Sequence, residues 1–302
     1  MGARDTGPEG LPASCEARSR DGDRGLSLQA RWGSRDETTT AFLDRTGLSA
    51  YSAPLSPLGS WPGVLMGDPG RTSVSLWLKC DNKKDESLTV DAVSNRGASA
   101  NAGLSSAGRK QFAAAAVASA KRAADKAGCE YTGKGSLAGL AGSPRNDPAG
   151  ISRAPGTCAG LRPLAPRAGR LGLSHVWAPR ASASAPVEDC VLTTSKDPQL
   201  PGYWMSAHFG PYAKDLTKRF AQRVSGERGR EKDGSLVWAT ASCPGAGTRA
   251  LFLLRGITDN DTRTGTGKVP VKRDSPAFRA DALSAFARQS AERHDCGDLK
   301  LP

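Results

Sequence analysis

The sequence predicts an α+β fold of two tandem, homologous domains, each a small antiparallel β-sheet with one C-terminal helix packed on it. Three observations carry this expectation. Two apolar runs each end in a cysteine and are each followed by a polar loop and a further apolar run. A helical pattern follows in both halves, and a second cysteine stands just beyond each helix. The length of 302 residues suits two domains at about 100–200 residues each. With 38% hydrophobic and 6% aromatic residues, 35 Gly and 20 Pro, the cores are expected to be lean.

The elements are justified in chain order. Cys15 opens a short segment that turns at Asp21-Gly22 into residues 25–32, where Leu26, Leu28, Ala30 and Trp32 alternate as a half-buried strand requires. Residues 73–80 (SVSLWLKC) and a run from Leu88 to Val90 flank the turn-rich loop 81–87, which reads as a hairpin. Residues 108–127 follow as an alanine-rich helix that stops before Gly128-Cys129. In the second half Cys190 opens a strand that turns through residues 197–202 into residues 203–209, where Tyr203, Met205, Ala207 and Phe209 alternate. Residues 235–243 (SLVWATASC) and a run from Leu251 to Leu253 flank loop 244–250. Residues 276–294 then form a helix with Ser275 as N-cap and Pro276 as first helical residue. Phe112, Val117 and Ala120 recur as Phe278, Leu283 and Phe286 on one helical face. The domains accordingly span residues 13–133 and 156–302, joined by a linker at 134–155.

A cysteine at the end of the third strand recurs in each half with one past the helix. A helix packed back across its sheet brings these together, so bridges Cys80–Cys129 and Cys243–Cys296 are expected. Cys158, in GTCAGL, pairs naturally with Cys190 at the start of the second repeat. By symmetry Cys15 expects a partner upstream of Met1. None of the seven cysteines forms CxxC, and none pairs with His175, His208 or His294 at metal spacing, so no metal and no cofactor are expected.

At this point the sequence resembles uncharacterised secreted or membrane-anchored cell-envelope proteins of Streptomyces-type actinobacteria. The similar stretches are GTCAGL at 156–161, VEDCVL at 187–192, KAGCE at 126–130, FARQSAERHDC at 286–296 and the terminal DLKLP. Together they cover most of residues 15–302, each being short. The resemblance implies an extracytoplasmic location, secreted or anchored through a segment absent from this chain, and no enzymatic activity. The chain departs from that group in lacking the first cysteine.

The net charge of +12 and pI near 9.6 admit an anionic partner. The densest basic stretch, residues 143–186, carries Arg145, Arg153, Arg162, Arg167, Arg170 and Arg180 against Asp147 alone. These arginines sit among Pro, Ala and Gly with Trp177 as sole aromatic, so the stretch reads as a solvated linker without a stacking platform. A cell-envelope polyanion or an envelope protein is the expected partner, and specific nucleic acid is not. No run approaches the roughly 20 apolar residues of a membrane-spanning helix. Residues 1–12 hold Arg4, Asp5 and Glu9 where a signal peptide needs an apolar core, so the chain reads as soluble.

Candidate chemistry is sparse. PGAGTRA at 244–250 has the glycines of a dinucleotide loop, but a strand pattern follows where a helix is required. TGTGK at 264–268 runs into Val269-Pro270, against a phosphate loop. His208 falls on the polar face of its strand and reads as solvated, His294 caps a helix C-terminus, and His175 lies in the linker-like stretch. None stands by a recognisable nucleophile elbow. Asp259, Asp261 and Glu292 show no pairing, and Lys83 and Lys84 interrupt a calcium-like group of Asp81, Asn82, Asp85 and Glu86. The reading is a non-catalytic, disulfide-stapled module. Its alternatives are a basic nucleic-acid-binding protein and an enzyme with a site between the repeats.

Overall fold

The computed structural model describes residues 13–18, 24–32, 54–68, 71–83, 86–96, 104–131, 135–140, 148–194, 201–221, 223–232, 236–244, 249–256 and 275–302. It is α+β, with a 6-stranded and an 8-stranded antiparallel sheet and few helices. The chain divides into two compact units, one of Met1–Asp44 with Pro57–Gly142, the other of Arg45–Ser56 with Ser143–Pro302.

In the first unit β1 (Ala13–Arg18), β2 (Arg24–Trp32), β3 (Ser56–Pro57), β4 (Gly63–Asp68), β5 (Arg71–Lys79) and β6 (Ser87–Arg96) form a sheet ordered β1-β2-β6-β5-β4-β3. The helix α1 (Ser106–Lys126) packs on the face that carries Ala30, Val74, Leu76, Leu78, Leu88, Val90 and Ala92. Its contribution is a stripe of small residues, Ala113, Ala116, Val117, Ala120, Ala123 and Ala124, spaced to fall on one side. Ser105 caps the helix by accepting a hydrogen bond from the Gly108 N–H at 3.1 Å. Its end is a left-handed turn: Gly128 has φ +61°, and the Cys129 N–H donates back to the Ala124 carbonyl at 2.9 Å.

In the second unit, β7 (Ala149–Gly150), β8 (His175–Trp177), β9 (Val187–Thr193), β10 (Pro201–His208), β11 (Gly229–Arg230), β12 (Leu236–Ser242) and β13 (Arg249–Gly256) are ordered β11-β12-β13-β10-β9-β8-β7. A last strand, β14 (Gly297–Lys300), pairs with β12. The path β9-β10-β13-β12 repeats β1-β2-β6-β5, with every neighbouring pair antiparallel. The helix α4 (Pro276–Arg293) packs on one face with Phe278, Ala282, Leu283, Phe286 and Ala287, opposite Met205, Ala207, Phe252 and Leu254. Ser275 accepts from the Phe278 N–H at 3.2 Å, with Pro276 at the first helical position.

Three disulfides hold these layers: Cys80–Cys129, Cys158–Cys190 and Cys243–Cys296. Cys15 is free and exposed.

Four local expectations are corrected. The core-facing residues of β13 are Ala250, Phe252 and Leu254, so Leu88 and Val90 correspond to Ala250 and Phe252, one residue before the match at Leu251 and Leu253. The cause is the second hairpin, whose loop is shorter: Leu78 lies opposite Leu88, and Ala241 opposite Ala250. His208 is 2% exposed rather than solvated. Its face of the sheet is covered by a helix not foreseen, α3 (Pro211–Arg219), whose Tyr212 and Leu216 are buried. The basic stretch is no linker from residue 148 onward. It forms β7, a 3-10 turn at Ile151–Arg153, a longer one at Gly156–Leu164, α2 (Ala165–Arg170) and β8, and it buries Ile151, Ala154, Leu161, Ala168, Leu173 and Val176 in the second core. His175 therefore stands on a strand, not in a linker. Leu137 and Leu140 pack on the first core and Ile151 and Ala154 on the second, so the described parts of 134–155 divide between the two.

Candidate binding cleft

A cleft of about 770 Å³ opens in the first unit beside the Cys80–Cys129 bridge, lined by Trp61, Asn82, Lys121, Asp125, Glu130 and Tyr131. The turn at residues 58–62 sets Trp61. Gly59 has φ +65°, and a Cβ there would lie 2.0 Å from the Ser136 carbonyl, so only glycine lets residues 135–137 approach. The Ser60 N–H donates to that carbonyl at 2.9 Å, and the Ser136 N–H donates to Ser60 Oγ at 2.8 Å. Gly135 lies flat on the indole, since a Cβ there would come within 2.5 Å of the ring. Lys121 Nζ stands 5.1 Å from the centre of the same ring.

The opposite wall is fixed by the helix end. Asn82 Nδ2 donates to the Gly128 carbonyl at 2.9 Å, and Asn82 Oδ1 accepts from the Glu130 N–H at 3.0 Å. Lys83 Nζ donates to the Ala127 carbonyl at 3.0 Å, a cation at the negative end of α1. Asn82 thus serves the backbone, leaving Lys121, Asp125, Glu130 and Tyr131 as the cleft's polar groups. Burial, and then the Asp125 charge, push the Tyr131 hydroxyl above its ordinary pKa of 10.0, so it remains a proton donor at neutral pH. An aromatic edge with one ammonium, two carboxylates and a phenol suits a small polar ligand that both donates and accepts hydrogen bonds.

Two buried acids complete the polar inventory. Asp91 in β6 accepts from Ser75 Oγ at 2.5 Å and is pushed up to about 6, chiefly by burial, against the opposing effects of Ser75 and Arg31. On the same face, the Ser73 and Thr89 hydroxyls are buried without a hydrogen-bond partner among the described residues. Glu188 in β9 accepts from Ser290 Oγ at 2.7 Å and from Arg293 at 2.5 Å. The His294 Nε2 stands 3.4 Å from its other oxygen, and the imidazole stacks on Phe209 with 3.8 Å between ring centres. Burial raises Glu188, but His294, Arg293 and Ser290 outweigh it and hold the carboxyl below its ordinary 4.5.

The structure separates the other sequence candidates. Cys129 borders the cleft and is bridged to Cys80, whereas Cys158, Cys190, Cys243 and Cys296 hold the second unit. His294 joins Glu188 at the end of α4, and His208 Nε2 lies 3.0 Å from Ser206 Oγ. After the glycine-rich loop at 244–250 the chain continues as β13, a strand. Residues 245–248, 259, 261 and 264–268 lie outside the described residues, as does Asp85. Among the described residues, no group of three or more His, Cys, Asp or Glu is arranged to hold a metal, and no helix is long and apolar enough to cross a membrane. Trp61, Lys121 and Tyr131 were not singled out by sequence. The turn-forming run Gly59-Ser60-Trp61-Pro62-Gly63 was the available signal, since a tryptophan among such residues needs a surface to rest on.

No family model and no curated protein matches the chain. Among solved structures, the crystal structure of the di-domain ARO/CYC StfQ from the steffimycin biosynthetic pathway is similar at a TM-score of 0.14 and 10% identity, over 94% of this chain and 87% of that one. A likeness at that level carries no argument about fold or function.

Proposed function

We propose that this chain is a non-catalytic, extracytoplasmic module of the cell envelope, of the kind found in Streptomyces-type actinobacteria, that binds rather than transforms its ligand. The observation that carries the reading is the set of three disulfides, each closing a loop of 32 to 53 residues around a core. Bridges of this kind persist in oxidising compartments and are reduced in a cytosol. The surface supports the same reading. From residue 148 to 187 no acidic residue occurs, and Arg153, Arg162, Arg170 and Arg180 are exposed there. Such a surface holds an anionic envelope polymer weakly and without sequence preference, while the Trp61 cleft holds a small polar ligand.

The test is fractionation of cells producing the chain, with thiol counting, followed by co-sedimentation with purified wall polymer across a salt series. The expected result is wall-associated protein with its six bridged cysteines oxidised, and binding lost between about 50 and about 300 mM salt, where counterion release acts. Cytosolic protein with reduced thiols would overturn the proposal. Salt-resistant, sequence-selective binding to DNA or RNA would replace it with the nucleic-acid reading.

A further inference from the structure

The cleft at the end of α1 carries charges that its own walls leave unanswered. Lys121, Asp125 and Glu130 are exposed along it and form no ion pair among the described residues. Lys121 and Asp125 stand four apart on the helix, a spacing at which ion pairs form. Lys121 instead rests its ammonium over the Trp61 ring. Asp125 acts on the Tyr131 hydroxyl, and Asn82 holds the Glu130 backbone while leaving its carboxylate exposed. The cleft therefore has two poles. One is an ammonium at the aromatic edge, and the other, toward the end of α1 and beyond it, is two carboxylates and a phenol. A helical rise of about 1.5 Å per residue sets Lys121 and Asp125 roughly 6 Å apart along the axis.

That layout discriminates between ligand classes. A sugar ring needs an open aromatic face, but Trp61 is 3% exposed, with Gly135 and Lys121 against its ring. A polyanion suits the exposed arginines of the second unit and here would meet two carboxylates for one ammonium. Among the described residues, no group of three or more His, Cys, Asp or Glu is arranged to hold a metal ion. A simple amine leaves Lys121 without a counter-charge. A single amino acid carries both charges on one carbon, too close together to reach both poles. An extended peptide of two or three residues, at about 3.3–3.6 Å per residue, spans the poles. The volume of about 770 Å³ has room for it.

Given the cleft as the site of a small polar ligand, as proposed above, we infer that this ligand is a short peptide with both ends free. Asp125 and Glu130 hold its terminal ammonium, and Lys121 holds its terminal carboxylate. The Tyr131 hydroxyl donates to a carbonyl of its backbone. The Gly59 turn, Gly135 on the indole and Asn82 on the helix end fix both walls before the peptide arrives, which lowers the ordering cost of binding.

The experiment is titration calorimetry of the oxidised protein of residues 1–302 with trialanine, N-acetyl-trialanine and trialanine amide. Trialanine is expected to bind saturably, one per chain. Capping either end should weaken it about tenfold or more, the loss of one charge-assisted contact. Lys121→Met should weaken trialanine by a similar factor and leave the weaker trialanine amide unchanged, and Lys121→Arg should restore binding. Asp125→Asn combined with Glu130→Gln should weaken trialanine but not its N-acetyl form. Capped and free peptides of equal affinity would overturn the proposal, and so would variants that act on the wrong end. If alanine or a trimer of N-acetylglucosamine binds in place of trialanine and Lys121→Met abolishes it, the peptide is refuted while the cleft remains a binding site. Silence toward every probe would overturn both. None of these outcomes depends on where the protein resides or on its association with wall polymer.

Discussion

The first and second units share a four-strand order, a helix on the same face and a bridge at the helix end, yet they are stabilised by different means. Helix α4 presents Phe278, Leu283 and Phe286 to its sheet, each at 0–1% exposure. Helix α1 presents five alanines and one valine. A buried Phe or Leu is worth about 1.5–3 kcal/mol in apolar transfer, and alanine far less. The second sheet is also covered on its outer face, where Trp177, Val191 and Trp204 cluster. The outer face of the first buries Ser73, Ser75, Thr89 and Asp91 instead. Duplication conserved the frame, and the units diverged in how much apolar surface each frame buries.

The comparison breaks most clearly at the disulfides. The Cys80–Cys129 and Cys243–Cys296 bridges close loops of 49 and 53 residues, so each constrains the unfolded chain by about 4 kcal/mol. Equal losses fall on unequal cores. Replacing Cys80 and Cys129 by serine is expected to unfold the first unit at 25 °C while the second melts near its original temperature. Replacing Cys243 and Cys296 should lower the second transition without abolishing it. Calorimetry of both variants checks this, and equal sensitivity of the two transitions would show that the alanine face is no weakness.

The helix faces can be exchanged next. Phe286→Ala removes a fully buried ring and should cost the second unit about 3 kcal/mol or somewhat more. At the corresponding site, Ala120→Phe should also destabilise, by about 1–3 kcal/mol, because Ala120 is buried in the first core and a ring there has to displace its neighbours. Urea titrations measure both. A neutral Ala120→Phe would reveal unfilled space under α1.

How much of this was legible follows from the same contrast. The frame was readable because strand ends, helix ends and cysteines are marked by residue type: Cys80 and Cys243, Ser275-Pro276, Gly128. Register was not, since Leu251 and Leu253 are as apolar as Phe252 and Leu254 in a strand buried on both faces, and alternation carries no signal there. Helix α3 escaped because Lys214, Asp215, Lys218 and Arg219 mask the spacing of Tyr212, Leu216 and Phe220. The folded stretch at 149–177 escaped because its Pro, Gly and Arg content reads as linker, although its 3-10 turns need only short apolar anchors such as Ile151 and Leu161. The cleft joins the turn at Trp61, the end of α1 and the segment after it, a convergence that only the fold creates.

Acid should move the two units in opposite directions. Asp91 has a folded pKa of about 6 against an ordinary 3.8, so its contribution is fully present below about pH 3.8 and is lost as pH rises through 6. Glu188 is held below its ordinary 4.5, so its contribution is present above that pH and is lost as pH falls below it. Asp91→Asn should therefore stabilise the first unit at pH 7 by on the order of 1–3 kcal/mol and flatten its profile between pH 4 and 7. Glu188→Gln should destabilise the second unit at pH 7 and make it less acid-sensitive. Thermal midpoints of each unit across pH 4 to 8 decide the matter, and parallel profiles in the two units would refute the assignment.

The smallest effect lies at the helix ends, where the two units solve one geometric problem with different residues. Gly128 and Asp295 both precede the bridging cysteine, and the following N–H donates to Ala124 or Ala291 at 2.9 Å in each case. Both adopt positive φ, +61° for Gly128 and +52° for Asp295. Glycine enters that region without steric penalty, while a side chain crowds its own backbone there, aspartate less than most. A carboxylate at a helix C-terminus also meets the negative end of the dipole, a further cost of about 0.3–1 kcal/mol. Against this, glycine has more freedom to lose on folding, which offsets part of the gain. Asp295→Gly should thus raise the stability of the second unit by about 0.5 kcal/mol. Gly128→Asp should lower that of the first by about 1 kcal/mol, and since a Cβ at Gly128 meets nothing within 4 Å, that loss is backbone strain and charge alone. The check is a shift of the denaturant midpoint with unchanged slope for each variant, at high and low salt. A gain at Asp295 that vanishes in high salt would assign the cost to the dipole, and one that persists would assign it to the backbone.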